Sequence, residues 1–244
     1  MSLLEHLITP GWPAPANVRA LQTTRACGVS NAPYDSLNLG DHVGDAPLAV
    51  ERNRMLLNTL LPSEPVWLKQ VHGTDVVRAD LASCLPQGDA CIAGRRGAVC
   101  VVMTADCLPV LLCDTQGSVV GAVHAGWKGL AAGVIEAAVQ AMEVAPQNLM
   151  AWLGPAIARD SYEVGEEVRA AFITRQPQSA QAFIPGLKGK WFADLYMLAR
   201  LRLDSLGITA IYGGDYCTYE ERERFYSHRR DGATGRMGTF IWLD

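Results

Sequence analysis

Three apolar runs set the frame of the chain. Ala98–Thr104 and Leu108–Cys113 are rich in valine and leucine, and Ser118–His124 follows after the polar break Asp114-Thr115-Gln116-Gly117. Apolar segments around a short Gly-containing break predict a β-hairpin. Further strand patterns lie at Val18–Thr24, Val66–Val71, Trp152–Pro155, Ile208–Tyr212 and Thr239–Leu243. Helical spacing predicts a helix from Pro47 to about Leu60, with Asp45 as cap and Val50, Leu57 and Leu61 inward. Leu130–Met142 and Val164–Thr174 have the same character. Asp194 should cap a helix that runs to Leu206, with Leu195, Leu198, Leu201 and Leu206 inside and Gly207 as its stop. Strands outnumber helices and occur both as hairpins and beside helices, so the expected class is mixed α+β.

The hairpin brings chemistry together. A two-residue Thr115-Gln116 loop pairs Asp114 with Gly117 and, counting back, Cys107 with His124. Directly opposite residues have Cβ atoms about 4.5–5.5 Å apart. A thiol and an imidazole at that separation can form a nucleophile–base pair or share a metal ion. A slip of one residue would send one of them to the other face, and Pro109 invites a bulge nearby. A buried apolar cysteine beside a strand-end histidine describes the same pattern without any site. His72, in His72-Gly73-Thr74-Asp75 at the end of the Val66–Val71 run, becomes a candidate once a third partner is sought.

Composition narrows the classes. The 244 residues are 49% hydrophobic and 19% charged, as in a globular protein with a sizeable core. A net charge of −4 argues against a nucleic-acid polymer or an anionic membrane surface as partner. Seven cysteines without a C-x-x-C, and no secretory signal, suggest a reducing, cytoplasmic setting. The longest apolar stretch, around 98–113, is broken by Asp106, so no transmembrane helix is expected.

The loop from Gly28 to Gly40 is dense in turn formers, and loops of this length are more often functional than idle. Arg25, Asn38 and His42 are its candidates for ligand contact, although turn chemistry also explains the asparagine. Between 220 and 236 five arginines face three glutamates and one aspartate. That balance describes a solvated, ion-paired loop, or one from which Arg229 and Arg230 clamp a phosphate or carboxylate. Asp106 should point away from Cys107 by strand alternation and instead fix a loop.

Two imidazoles and a thiolate suit catalytic zinc with an open fourth position. Copper competes, since a His2Cys set with an axial methionine, Met103 or Met237, describes a blue-copper site. Five histidines are too few for a trinuclear copper cluster. A metal-free Cys107–His124 hydrolase is a third option and needs an exposed thiol of depressed pKa.

Six motifs in order carry a resemblance. They are Tyr-Asp-Ser-Leu-Asn-Leu-Gly (34–40), Gln-Val-His-Gly (70–73), Thr-Ala-Asp-Cys-Leu-Pro-Val (104–110), His-Ala-Gly-Trp-Lys-Gly (124–129), Trp-Leu-Gly-Pro-Ala-Ile (152–157) and Ser-His-Arg-Arg-Asp (227–231). Together they resemble the YfiH family, also called the laccase-domain, polyphenol oxidase or purine nucleoside phosphorylase family. The resemblance implies one domain over residues 1–244, a layered α+β sandwich of mixed sheets flanked by helices and grouped with cysteine hydrolases. It implies a zinc site, and catalysis, at His72, Cys107 and His124, with Gln70 among the substrate contacts. It implies phosphorolysis of adenosine, inosine and methylthioadenosine, with adenosine deamination besides, so that the partners are purine nucleosides and phosphate. The family has also been described as copper-dependent phenol oxidases and as a bacterial peptidoglycan editing factor. The chain departs from the family's Arg-x-Gly-Gly-Val-Ser at Cys27, which would have to adopt a glycine's positive φ with strain.

Overall fold

In a computed structural model, which describes residues 3–82 and 85–244, two large sheets lie face to face. The smaller is antiparallel, in the order β1 (Val18–Gln22), β12 (Met237–Leu243) and β4 (Cys100–Thr104). The larger is mixed, in the order β11 (Ala210–Gly213), β7 (Leu149–Leu153), β5 (Leu108–Asp114), β6 (Val120–Ala125), β3 (Ala90–Ala93) and β2 (Val76–Arg78). Its two edge pairs are parallel and the inner pairs antiparallel. A third sheet, β8 (Glu163–Val164), β10 (Trp191–Ala193) and β9 (Phe183–Pro185), stands apart from both.

Strand alternation assigns each apolar side chain to a layer. Cys100, Val102, Ile241 and Leu243 meet Leu111, Cys113, Val120 and Ala122 between the two large sheets. The opposite residues of the larger sheet, Val110, Leu112 and Val123, pack on helices α3 (Val134–Ala141) and α5 (Leu195–Leu206). Outside the smaller sheet, Val101 and Phe240 pack with Leu37, Leu39 and Leu57 of α1 (Pro47–Asn58). Every residue of β4, β5, β6 and β12 is buried, which explains why their sequences read as unbroken apolar runs. Each such Val, Leu or Phe contributes about 1.5–3 kcal/mol by leaving water. The mixed α+β class expected from the strand and helix pattern, and the layered sandwich that the resemblance implies, are both observed.

Several boundaries differ for local reasons. Ala46, with no side-chain bond, occupies the N-cap of α1; the expected cap, Asp45, instead accepts from Ser30 Oγ at 2.6 Å and Asn38 Nδ2 at 2.9 Å. The helix expected over 130–142 is two helices, α2 (Trp127–Ala132) and α3, because Gly133 with φ +105° closes the first and starts the second. Residues 66–71 make isolated bridges at Val66 and Lys69 in place of a strand. The next helix is α4 (Glu166–Ile173). Asp194 caps α5 through Met197 N and Gly207 closes it, both as expected. Cys27 takes φ +70°, the conformation its glycine-like position demands.

Candidate metal centre

The hairpin of β5 and β6 forms, but its register differs from the expected one by two residues. Pro109, not Cys107, faces His124, and the ladder continues to Cys113 opposite Val120. The cause is Asp114. Its carboxylate accepts the backbone N–H of Gln116, Ser118 and Val119 at 3.3, 2.6 and 3.0 Å, stabilising a turn wider than two residues. A shift of two preserves the face of every side chain. Cys107 and His124 therefore remain on the same side, Cys107 lying just before β5 and next to Gly126, the residue that follows β6 and caps the next helix.

Gly126 is what leaves room between them. A Cβ on it would stand 2.9 Å from His72 Cδ2, 3.0 Å from Cys107 Sγ and 3.5 Å from His124 Nε2. His72 reaches the same space from a turn with φ +61°, held against β4 by Gln70. The Gln70 amide donates to Met103 O at 2.8 Å and accepts from Met103 N at 2.7 Å, like one rung of a ladder. The donor atoms of His72, Cys107 and His124 all lie within 4.8 Å of one another, the one such group among the described residues. Cys107 Sγ is 3.9 Å from His72 Nε2, against about 3.6 Å for a sulfur and a nitrogen on one tetrahedral zinc. His124 is buried, Cys107 half-buried and His72 exposed, so the cluster opens on one side. Donor set, spacing and the void over Gly126 all fit a single metal ion with an open position.

No motif or periodicity pointed to Asp89, yet this buried carboxylate organises the cluster. It pairs with His124 Nδ1 at 2.8 Å and accepts the backbone N–H of Val71, His72 and Gly73 at 3.2, 2.9 and 2.7 Å. Both histidines are thus set by one side chain, and His124 is left with Nε2 facing Cys107. Burial is the largest influence on Asp89 and pushes its carboxyl up, but the bonds from His124 and Gly73 outweigh it and hold it at about 2. Burial also pushes the Cys107 thiol up; the charge of His124, then hydrogen bonds from both imidazoles, bring it down to about 6. His124 rises to about 9, because the Cys107 sulfur and Asp89 overcome the cost of burial. A thiolate beside an imidazole backed by a carboxylate is the arrangement in which metal-ligating histidines are found.

The remaining sequence candidates divide. Asn38 is fully buried and braces its loop through Gly40, Asp45 and the backbone N–H of Arg236. Arg25 pairs with Asp35 at 3.2 Å, lies over the Tyr226 ring and borders a separate cleft of 540 Å³. His42 is exposed beside Asp41. Arg230 spends its guanidinium on Asp231 and the carbonyls of Thr218, Tyr219 and Phe225. Arg229 borders a cavity of 160 Å³ that also touches Cys107, and its guanidinium lies over Tyr162. Asp106 does fix a loop: at φ +91° it accepts from Thr218 Oγ1 at 2.7 Å and Arg229 N at 2.6 Å. Trp127, Ile157, Tyr162 and Leu195 wall the cavity; the sequence placed Trp127 and Ile157 within motifs and Leu195 on the inner side of a helix, but named none of the four as a site residue.

A layered α+β sandwich with a His2Cys donor set beside a small cavity defines a candidate metal-dependent enzyme. The sequence profile described as multi-copper polyphenol oxidoreductase laccase matches residues 19–244, and the chain belongs to that family, the laccase-domain or YfiH family. It is 52% identical over 237 residues to a purine nucleoside phosphorylase of Pseudomonas aeruginosa, covering 97% of this chain and 98% of that one. It is 51% identical over 243 residues to the purine nucleoside phosphorylase YfiH of Escherichia coli, covering 98% and 100%. Among solved structures, a Neisseria meningitidis protein of the same family superposes with a TM-score of 0.95 at 52% identity, covering 98% and 99%. YlmD from Geobacillus stearothermophilus superposes with a TM-score of 0.89 at 32% identity, covering 96% and 94%. No helix among the described residues is long and apolar enough to cross a membrane.

Proposed function

We propose that this chain is a zinc-dependent purine nucleoside phosphorylase acting on adenosine, inosine and methylthioadenosine, with adenosine deamination as a second activity. The observation that carries the reading is the His72–Cys107–His124 cluster, whose Cys107 lines a cavity walled in part by Trp127 and Tyr162, in a chain whose relatives bear the phosphorylase name. His72, Cys107 and His124 would hold the ion, and zinc bound there supplies Lewis acidity. The chain's own part is to place the base and the phosphate. In phosphorolysis a phosphate oxygen bonds to C1′ of the sugar as the bond from C1′ to the purine nitrogen breaks, and the departing base takes up a proton. Arg229 at the cavity rim supplies positive charge for phosphate. So does Arg236, which forms no ion pair among the described residues and lies within electrostatic reach of Cys107 and Asp106.

Copper oxidation of phenols, which the family's description suggests, fits the donors less well. A multicopper centre needs many imidazoles, and among the described residues only His72 and His124 share a candidate cluster. The test is release of hypoxanthine from inosine by metal-analysed protein, with and without phosphate. Release that requires phosphate, falls at least about 100-fold in Cys107→Ala and stops in chelator is expected. Equal release without phosphate would overturn phosphorolysis. Activity that persists in chelator but is lost on thiol alkylation would favour a cysteine hydrolase.

A further inference from the structure

The 160 Å³ cavity touching Cys107 is sized for one flat ring system, leaving sugar and phosphate outside it. Most of its polar side chains are already engaged. Both oxygens of Asp106 accept hydrogen bonds from Thr218 Oγ1 and Arg229 N. Arg229 donates to Glu163 O at 2.8 Å and stacks on Tyr162. The Tyr162 hydroxyl can turn to donate or accept and so selects nothing. His228 is different. It lines the same cavity, at the start of the short helix α6 (His228–Asp231), and its Nδ1 lies 2.7 Å from Gly232 O. A carbonyl only accepts, so Nδ1 carries the hydrogen, and in the uncharged ring Nε2 is left with a lone pair. The short helix that carries it is itself anchored to the metal centre, because Asp106, beside Cys107, accepts from Arg229 N.

We infer that this cavity is the purine subsite and that Nε2 of His228 accepts a hydrogen bond from the N–H edge of the base. The inference rests on the phosphorylase reading for its substrate class. An acceptor there suits both a 6-oxopurine, which offers N1–H, and a 6-aminopurine, which offers its exocyclic N–H. One residue thus accounts for a site that takes inosine and adenosine alike. Unsubstituted purine riboside offers neither donor, so it makes no bond to His228.

The experiment compares inosine and purine riboside, each with phosphate, in the wild type, His228→Phe and His228→Gln. His228→Phe should lower kcat/KM for inosine about tenfold, one hydrogen bond's worth, and leave purine riboside within about twofold. His228→Gln, whose amide oxygen can accept, should recover part of the loss. Zinc content should be equal in all three. Calorimetric binding of free hypoxanthine and free purine to the same proteins should show the same split in Kd. Equal losses on both compounds, or none on either, would overturn the inference. A wild type that binds hypoxanthine through His228 yet releases no base with phosphate would sink the phosphorylase reading and leave the base subsite standing.

Discussion

Asp89 shows how much of a candidate metal centre lies outside its three donor residues. One carboxylate sets the imidazole of His124 and the turn that presents His72, so the two histidines are aimed together. Changing Asp89→Asn keeps the volume but loses the negative charge behind His124. Outer-shell losses of this kind typically weaken metal binding 10–100-fold. Zinc affinity measured by competition with a chromophoric chelator should fall within that range; an unchanged affinity would show that the ligands are set without Asp89. At this scale the sequence revealed His72, Cys107 and His124, because motif and strand parity both act over short distances. It concealed Asp89, which reaches His124 only through the pairing of β3 with β6. Asn38, a candidate from its loop, and Gln70, implied by the resemblance, were expected as ligand contacts; in the structure their amides bond to backbone groups of Gly40 and Met103.

The β5–β6 hairpin depends on its turn. Asp114 is 2% exposed and accepts three backbone N–H groups and Ser118 Oγ. Burial is the largest influence on its carboxyl and pushes it up, but the bonds from Val119 and Ser118 prevail and hold it below the ordinary value of 3.8. A carboxyl lowered in the folded state stabilises the fold above its unfolded pKa, and that stabilisation fades as pH falls through the folded one. Asp114→Asn should therefore cost about 1–3 kcal/mol at pH 7 in urea unfolding, with the gap closing below pH 3.8. A gap independent of pH would place the cost in packing rather than charge. The same residue explains why the hairpin was legible and its register was not. Apolar alternation reveals two strands, but the loop length follows from how many N–H groups one side chain gathers.

The whole molecule places its site where the two sheets and the outer loops meet at one end. Cys107 and His124 share the face that packs between the sheets, His72 arrives on a segment bridged to β4, and Asp106 ties in the loop that carries Arg229 and His228. Burial patterns made the layers legible, since each apolar run had to be covered on both faces. The cavity was not legible, because Trp127, Tyr162 and His228 converge from three segments with no shared periodicity. Leu111→Ala, in the layer between the sheets, should cost about 2–5 kcal/mol by denaturant unfolding, and a cost below 1 kcal/mol would contradict the packing described.

The ligand set itself is open to spectroscopic test by cobalt(II), which substitutes for zinc. Titration should saturate at one equivalent per chain, with a thiolate-to-cobalt charge-transfer band and the d–d bands of a four-coordinate ion. The charge-transfer band should vanish in Cys107→Ser, and affinity should fall in His72→Ala and in His124→Ala. A charge-transfer band that survives Cys107→Ser, or saturation unaffected by all three substitutions, would mean that the ion binds elsewhere.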